Sequence, residues 1–272
     1  MPSSPLPVAV LAFTAVSDPA VNAAAIRRGL AGAAAAGAQL LLTPECALTG
    51  YPGAARDGML GVNWCQAADL EESLEEEAVR RGVTLVLGTA APVAAADGDR
   101  PLLVVNEAVV LGAEARPLRY RKRALTPYDT RHFVPGASAQ PCTFRCAGWT
   151  LGLAICYELR FGPLWAELAA LEVDAFVTIA HMAGNDVDPG TKQEVIPALY
   201  SARAAEWATP LLLANTAAPD RWLDSGLWDA RGVRTVHQAE GLMLATLQPR
   251  DALDPWYTGL RSEALRRERE RY

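Results

Sequence analysis

The sequence predicts an α/β protein whose strands form mixed β-sheets in a sandwich. Three observations predict it. Apolar runs of strand length alternate with longer stretches that read as helices, so both share one core. A hairpin signal breaks that alternation and argues against an all-parallel, doubly wound sheet. The same strand-and-helix grammar returns in the second half of the chain, with no sequence repeat and no linker.

PVAVLAFT (7–14) reads as the first strand. VNAAAIRRGLAGAAAAG (21–37) is alanine-rich and stops at glycine, which predicts a helix. AQLLLTP (38–44) is a short buried strand. LEESLEEEAVRRG (70–82) carries acids early, arginines late and glycine at its end. That order suits the helix macrodipole, so its acidic run needs no ligand to explain it. VTLVLGTAA (83–91) is a strand, and PLLVVNEAVVLG (101–112) and RPLRYRK (116–122) form a hairpin around GAEA. WTLGLAIC (149–156), DAFVTIAH (174–181) and PLLLANTA (210–217) are strands, separated by helices over 161–173 and 194–208. GLWDARG (226–232) holds a turn, with strand-like RTVHQ and GLMLATL after it. The charged end, RSEALRRERERY, reads as an exposed or partner-docked tail.

The chain has 272 residues and is 51% hydrophobic, enough for one large core, and a single domain over 1–272 is expected. A formal net charge of -6 gives no electrostatic reason to expect nucleic acid or an anionic membrane as partner. Five irregularly spaced cysteines fit reduced thiols and a cytoplasmic location better than a disulfide framework. The N-terminal apolar run is short and has no basic residue before it, so it reads as a strand and not as a signal peptide. No run is long enough to span a membrane, and a soluble protein is expected.

Three predicted strands end in chemistry-bearing side chains: Glu45, Lys122 and Cys156. Strand ends are where α/β proteins build their sites. The chain has three histidines, His132, His181 and His237, and none is near Cys156 in sequence. A carboxylate desolvated by apolar neighbours is a better proton acceptor, and a lysine beside a thiol favours the thiolate. The N-terminus of a following helix would add to that effect. Lys122 and the backbone N–H of Tyr157 would then hold an oxyanion, each such donor being worth roughly 3–4 kcal/mol.

The blocks LLTPECALTGYP, YRKRAL with FVPG downstream, and LAICYELRF resemble the signature blocks of the nitrilase (carbon–nitrogen hydrolase) superfamily. SARAAEWATPLLLANTA and SGLWDARG resemble its later blocks, in family order. The resemblance implies an α-β-β-α sandwich, a catalytic triad of Glu45, Lys122 and Cys156, and no metal or cofactor. It implies hydrolysis of amides, carbamoyl groups or nitriles, and homodimers joined through helices and the tail, here residues 250–272. CYELRF is closer to the amidase-type block than to that of true nitrilases, so a small linear amide is the expected substrate. The alternatives are an N-carbamoyl amine or amino-acid amidohydrolase and a non-catalytic binding subunit.

Two positions depart from the family pattern. Glu158 stands where aspartate is usual, and Asp129 is the nearest match to a second glutamate, shorter by one carbon–carbon bond, ~1.5 Å. Tyr51 is expected beside the site, and His181 to line the pocket. Cys46 is expected to face the core, since neighbouring strand residues alternate faces. Glu206 is expected to support the site by hydrogen bonds, and Arg160 to pair with Glu158, with a tail residue or with substrate. Cys142 and Cys146 lack the second ligand pair that zinc needs. No phosphate loop or G-x-S-x-G elbow is present.

Overall fold

The computed structural model of the protein describes residues 2, 4–52, 58–94, 102–112, 117–136, 141–184 and 189–270. Its elements run β1 (Leu6–Ala12), α1 (Pro19–Ala35), β2 (Leu40–Leu42), α2 (Trp64–Arg81), β3 (Thr84–Ala94), β4 (Leu103–Leu111) and β5 (Leu118–Arg121). They continue with β6 (Cys142–Cys146), β7 (Trp149–Ile155), α3 (Gly162–Ala170), β8 (Ala175–Ala180), α4 (Pro189–Glu206) and β9 (Leu211–Asn215). β10 (Ser225–Trp228), β11 (Arg234–Gln238), β12 (Gly241–Leu247) and α5 (Pro255–Arg269) complete the chain.

The strands form two mixed six-stranded sheets, ordered β12-β1-β2-β3-β4-β5 and β11-β10-β9-β8-β7-β6. Each has parallel pairs at its centre (β1/β2 and β2/β3; β7/β8 and β8/β9) and antiparallel pairs outside them. One apolar cluster lies between the sheets, with Val8, Val10 and Leu42 from the first and Leu151, Ile155 and Val177 from the second. A second packs α1 and α2 on the outer face of the first sheet. A third packs α3 and α4 on the outer face of the other. Both faces of the central strands are therefore covered, which is why LLL in β2 and AFVTIA in β8 read as unbroken apolar runs. The expected α-β-β-α sandwich is the observed fold.

Local chemistry sets the element ends. Asp18 caps α1 by accepting from the Ala20 N–H at 2.9 Å, with Pro19 opening the helix. α2 starts six residues before the acidic run, where Asn63 accepts from the Gln66 N–H, and it stops at left-handed Gly82. The β4–β5 hairpin pairs Glu107 with Arg121 and Ala108 with Tyr120, while most of GAEA lies outside the described residues. In GLWDARG the first residues form β10, and the turn follows at Asp229, whose carboxylate accepts from the Arg231 and Val233 N–H groups.

Two sequence readings need correction. Residues 142–146, noticed only for their C-x3-C spacing, form β6; Cys142, Phe144 and Cys146 point into the core at the strand's period of two. Among the described residues no cluster of His, Cys, Asp or Glu is arranged to hold a metal. The charged C-terminal segment folds as α5. Arg261 on it is buried and donates to the Trp207 and Val173 carbonyls, and Leu265 joins the α3–α4 core. No helix among the described residues is long and apolar enough to cross a membrane.

Gly88 in β3 governs one corner of the sandwich. A Cβ there would fall 1.9 Å from the Pro44 carbonyl oxygen and 3.0 Å from the Cys46 backbone nitrogen. Gly88→Ala is therefore expected to displace the turn that carries Glu45. The expected cost is about 3 kcal/mol or more by denaturant unfolding; a wild-type midpoint would contradict this close approach.

Candidate active site

The side chains expected to act gather where strands from the two sheets end. Glu45 follows β2 and Lys122 follows β5 in one sheet; Cys156 follows β7 and His181 follows β8 in the other. The Glu45 N–H donates to the Ala180 carbonyl at 3.3 Å and ties the two ends together. Thr43 steadies the approach, its Oγ1 donating to the Val86 carbonyl and accepting from the Gly88 N–H. The glycine of FVPG closes onto the lysine: Gly136 N–H donates to the Lys122 carbonyl at 2.9 Å, and a Cβ there would lie 2.6 Å from the Arg121 carbonyl oxygen.

Lys122 is fully buried between two carboxylates. Its Nζ donates to Glu45 Oε1 at 2.7 Å and to Asp129 Oδ2 at 2.8 Å. Burial alone would lower the ammonium's pKa, but the charges of Glu45 and Asp129 outweigh it and hold the pKa well above the ordinary lysine value. Asp129 is also buried, yet Lys122, Tyr51 and Thr126 pull it below the usual carboxylate range. Its shorter side chain still reaches Lys122 because it starts a short helical turn, braced by the Thr126 N–H on Oδ2 and by Thr126 Oγ1 on its own N–H. Tyr51 donates to Asp129 Oδ1, and its ring stacks on His181 with centroids 4.2 Å apart.

Glu45 departs from expectation. Its neighbours are donors, not an apolar pocket: Lys122 Nζ and Asn106 Nδ2 on Oε1, and the His181 N–H on Oε2 at 2.8 Å.

Cys156 sits at φ +49°, in the left-handed region, as the first residue of a 3-10 turn over Cys156–Arg160. Such a conformation in a non-glycine residue costs of order 1–3 kcal/mol and persists only where its surroundings fix it. The turn stands between Cys156 and α3, so the cysteine does not directly precede the α-helix that was expected to favour its anion. The thiol also departs from expectation. Burial first, then the Glu45 charge, push its pKa well above the ordinary cysteine value; Lys122 and the His181 N–H pull the other way and are outweighed. The shift favours the neutral thiol as the resting group.

Glu158 explains what fixes the turn. Its Oε2 accepts from the Ile155 N–H at 2.7 Å, and its Oε1 from the Arg123 N–H at 2.7 Å and the Tyr120 hydroxyl at 2.9 Å. One buried carboxylate thus joins the cysteine turn to the segment bearing Lys122. Trp165 Nε1 donates to the Glu158 carbonyl from α3. Arg160 is exposed and is not among the carboxylate's partners. Glu206 acts at one remove: it pairs with Arg203, whose Nε holds the Leu159 carbonyl in the same turn.

The other expected residues fall as follows. Tyr157 is half-buried, its ring edge-on to Phe161 at 5.3 Å. His181 is half-buried and depressed below the ordinary histidine value by burial, so its ring is uncharged near neutral pH. Cys46 faces a small core with Met59, Val104 and Phe133. His237 is exposed beside Asp224, and His132 meets the Tyr128 ring. Asn106 was missed. Its signal was legible, since it shares a strand face with core-facing Ala108 and Val110 and is a polar residue at an inward position.

Stacked mixed sheets, with a cysteine turn facing a buried lysine–carboxylate cluster, define a hydrolase of the nitrilase superfamily, on its amidase-like branch. Residues 8–253 match the carbon-nitrogen hydrolase family, and the chain belongs to it. A hydrolase of Mycobacterium tuberculosis is 28% identical over 224 residues, covering 78% of this chain and 72% of its own. An amidase from Nesterenkonia sp. AN1, as a cysteine-to-alanine variant in complex with butyramide, matches with TM-score 0.74 at 26% identity, over 96% of each chain. A glutamate-to-glutamine variant of that amidase, with acrylamide joined to its active-site cysteine by Michael addition, matches with TM-score 0.72 at 25% identity, over 96% of this chain and 99% of its own.

Proposed function

We propose that Cys156, Glu45 and Lys122 hydrolyse the carbon–nitrogen bond of a small linear amide through an acyl-thioester, releasing ammonia and a carboxylic acid. The observation that carries this reading is the buried Lys122 held between Glu45 and Asp129, with the charges of Glu45 and Lys122 acting directly on the Cys156 thiol. Glu45 takes the thiol proton as sulfur attacks the carbonyl carbon, and the carbonyl electron pair moves to oxygen. Lys122 Nζ and the Tyr157 N–H hold that oxyanion. Glu45 returns the proton to the leaving nitrogen, the C–N bond breaks, and ammonia departs. A water deprotonated by Glu45 then cleaves the thioester. Asp129 positions Lys122, and Tyr51 and His181 wall the substrate's approach. The butyramide bound by the related amidase supports a short aliphatic acyl group.

Screening small amides, carbamoyl compounds and nitriles while recording intact mass tests this reading. The expected result is an acyl adduct on Cys156 with amides, and ammonia with the matching acid as products. Carbon dioxide released with ammonia from carbamoyl compounds alone would replace the substrate class, and no adduct with any compound would sink the mechanism. Five free thiols suit a reducing compartment such as the cytoplasm. We place the dimer contact expected from the family resemblance on the helical face that includes α5, where Trp256 and Leu260 stay exposed. Trp256→Asp should shift the sedimentation coefficient to that of a monomer; an unchanged value would move the contact elsewhere.

A further inference from the structure

We infer that Asn106 is a positioning residue for the general base: it fixes which oxygen of Glu45 takes the thiol proton. The inference rests on the proposed amide hydrolysis. Asn106 lies on β4 with its side chain buried between the sheets. Its Nδ2 donates to Glu45 Oε1 at 2.7 Å, and its backbone carbonyl accepts from the Lys122 N–H at 2.8 Å. One residue therefore sets the position of both the base and the lysine.

The two oxygens of Glu45 are not equivalent. Oε1 carries two donors, Lys122 Nζ and Asn106 Nδ2, which occupy both of its lone-pair directions. Among the described residues Oε2 accepts only from the His181 N–H, and that same N–H acts on the Cys156 sulfur. Oε2 thus shares its donor with the thiol and has a lone pair to spare. The proton leaves Sγ and joins Oε2, while Oε1 stays anchored. Without the Asn106 amide, Lys122 alone holds Oε1, and the carboxylate can rotate about its last bond.

The other half of the amide shows what the arrangement costs. Among the described residues, Asn106 Oδ1 is buried without a hydrogen-bond partner. Turning the amide over would face that oxygen toward the Glu45 carboxylate, so the orientation is set by the donor that Glu45 receives. A buried polar atom left unsatisfied calls for a reason other than stability, and the anchored base supplies one.

Asn106→Leu and Asn106→Ala test this, read against wild type and Cys156→Ala. The leucine variant removes the unpaired oxygen with the donor, so its melting temperature is expected to equal or exceed that of wild type. Its kcat is expected to fall by up to about 100-fold, as for a misplaced catalytic group, with KM little changed. The acid limb of its kcat/KM profile should move to higher pH, because losing a donor to the ionised carboxylate favours the protonated form. A wild-type pH limb in either variant, or loss of folding in both, would assign Asn106 to packing and overturn the inference. Turnover that survives in Cys156→Ala would instead overturn the reading on which it rests.

Discussion

Cys156→Ala is expected to abolish turnover while leaving the fold intact. In the proposed route the thiol is the attacking atom, so no part of that route survives without it. Where catalytic groups act as a unit, removing the nucleophile costs about 10⁶ in kcat. The turn should persist, because the Glu158 bonds to the Ile155 and Arg123 N–H groups and to the Tyr120 hydroxyl do not involve the sulfur. Alanine also tolerates φ +49° about as poorly as cysteine, so the substitution neither adds nor relieves much strain. Ammonia release by the pure variant at more than a trace of the wild-type rate would show that another group attacks.

Glu45→Gln should lower kcat by about 10²–10⁴-fold, the range that general base catalysis supplies. Glutamine keeps the size and one acceptor oxygen, but it turns an NH2 either toward the His181 N–H or toward Lys122 and Asn106. The mismatch should also destabilise the fold by about 1–3 kcal/mol. The thiol should respond in the opposite sense. The Glu45 charge is, after burial, the main cause of its high pKa, so removing that charge should move the thiol pKa down. Slower turnover with easier ionisation separates a base from a mere neighbour. A variant that turns over more slowly while its thiol pKa rises, or one in which neither changes, would deny Glu45 that role.

The meeting of Glu45, Lys122 and Cys156 was legible because each follows a strand, two of them unbroken apolar runs, a pattern that survives in one dimension. The mixed sheets were legible for a related reason: both faces of each central strand are buried, so the runs are long and unbroken. What surrounds the trio was not. Asn106 could be seen as a polar residue at an inward strand position, but not what it holds, because its partner is 61 positions away. Glu158 was legible only as a departure from the family pattern, yet its carboxylate bonds both the cysteine turn and the lysine segment. The sign of the Cys156 shift depended on burial and on carboxylates brought in by tertiary structure, while the sequence offered only the lysine. β6 was overlooked because two cysteines at its core positions looked like a ligand spacing.

The most direct test of the account is the ionisation of Cys156 itself, read as ultraviolet thiolate absorbance against pH for wild type minus Cys156→Ala. The account holds that the resting thiol is neutral and that Glu45 removes its proton during attack. It predicts that the thiolate signal appears only above the ordinary cysteine range, and that it moves to lower pH in a Glu45→Gln background. A thiolate already formed below neutral pH in the wild-type protein would mean a resting cysteine–lysine ion pair, and would contradict the assignment of Glu45 as the base that activates the nucleophile.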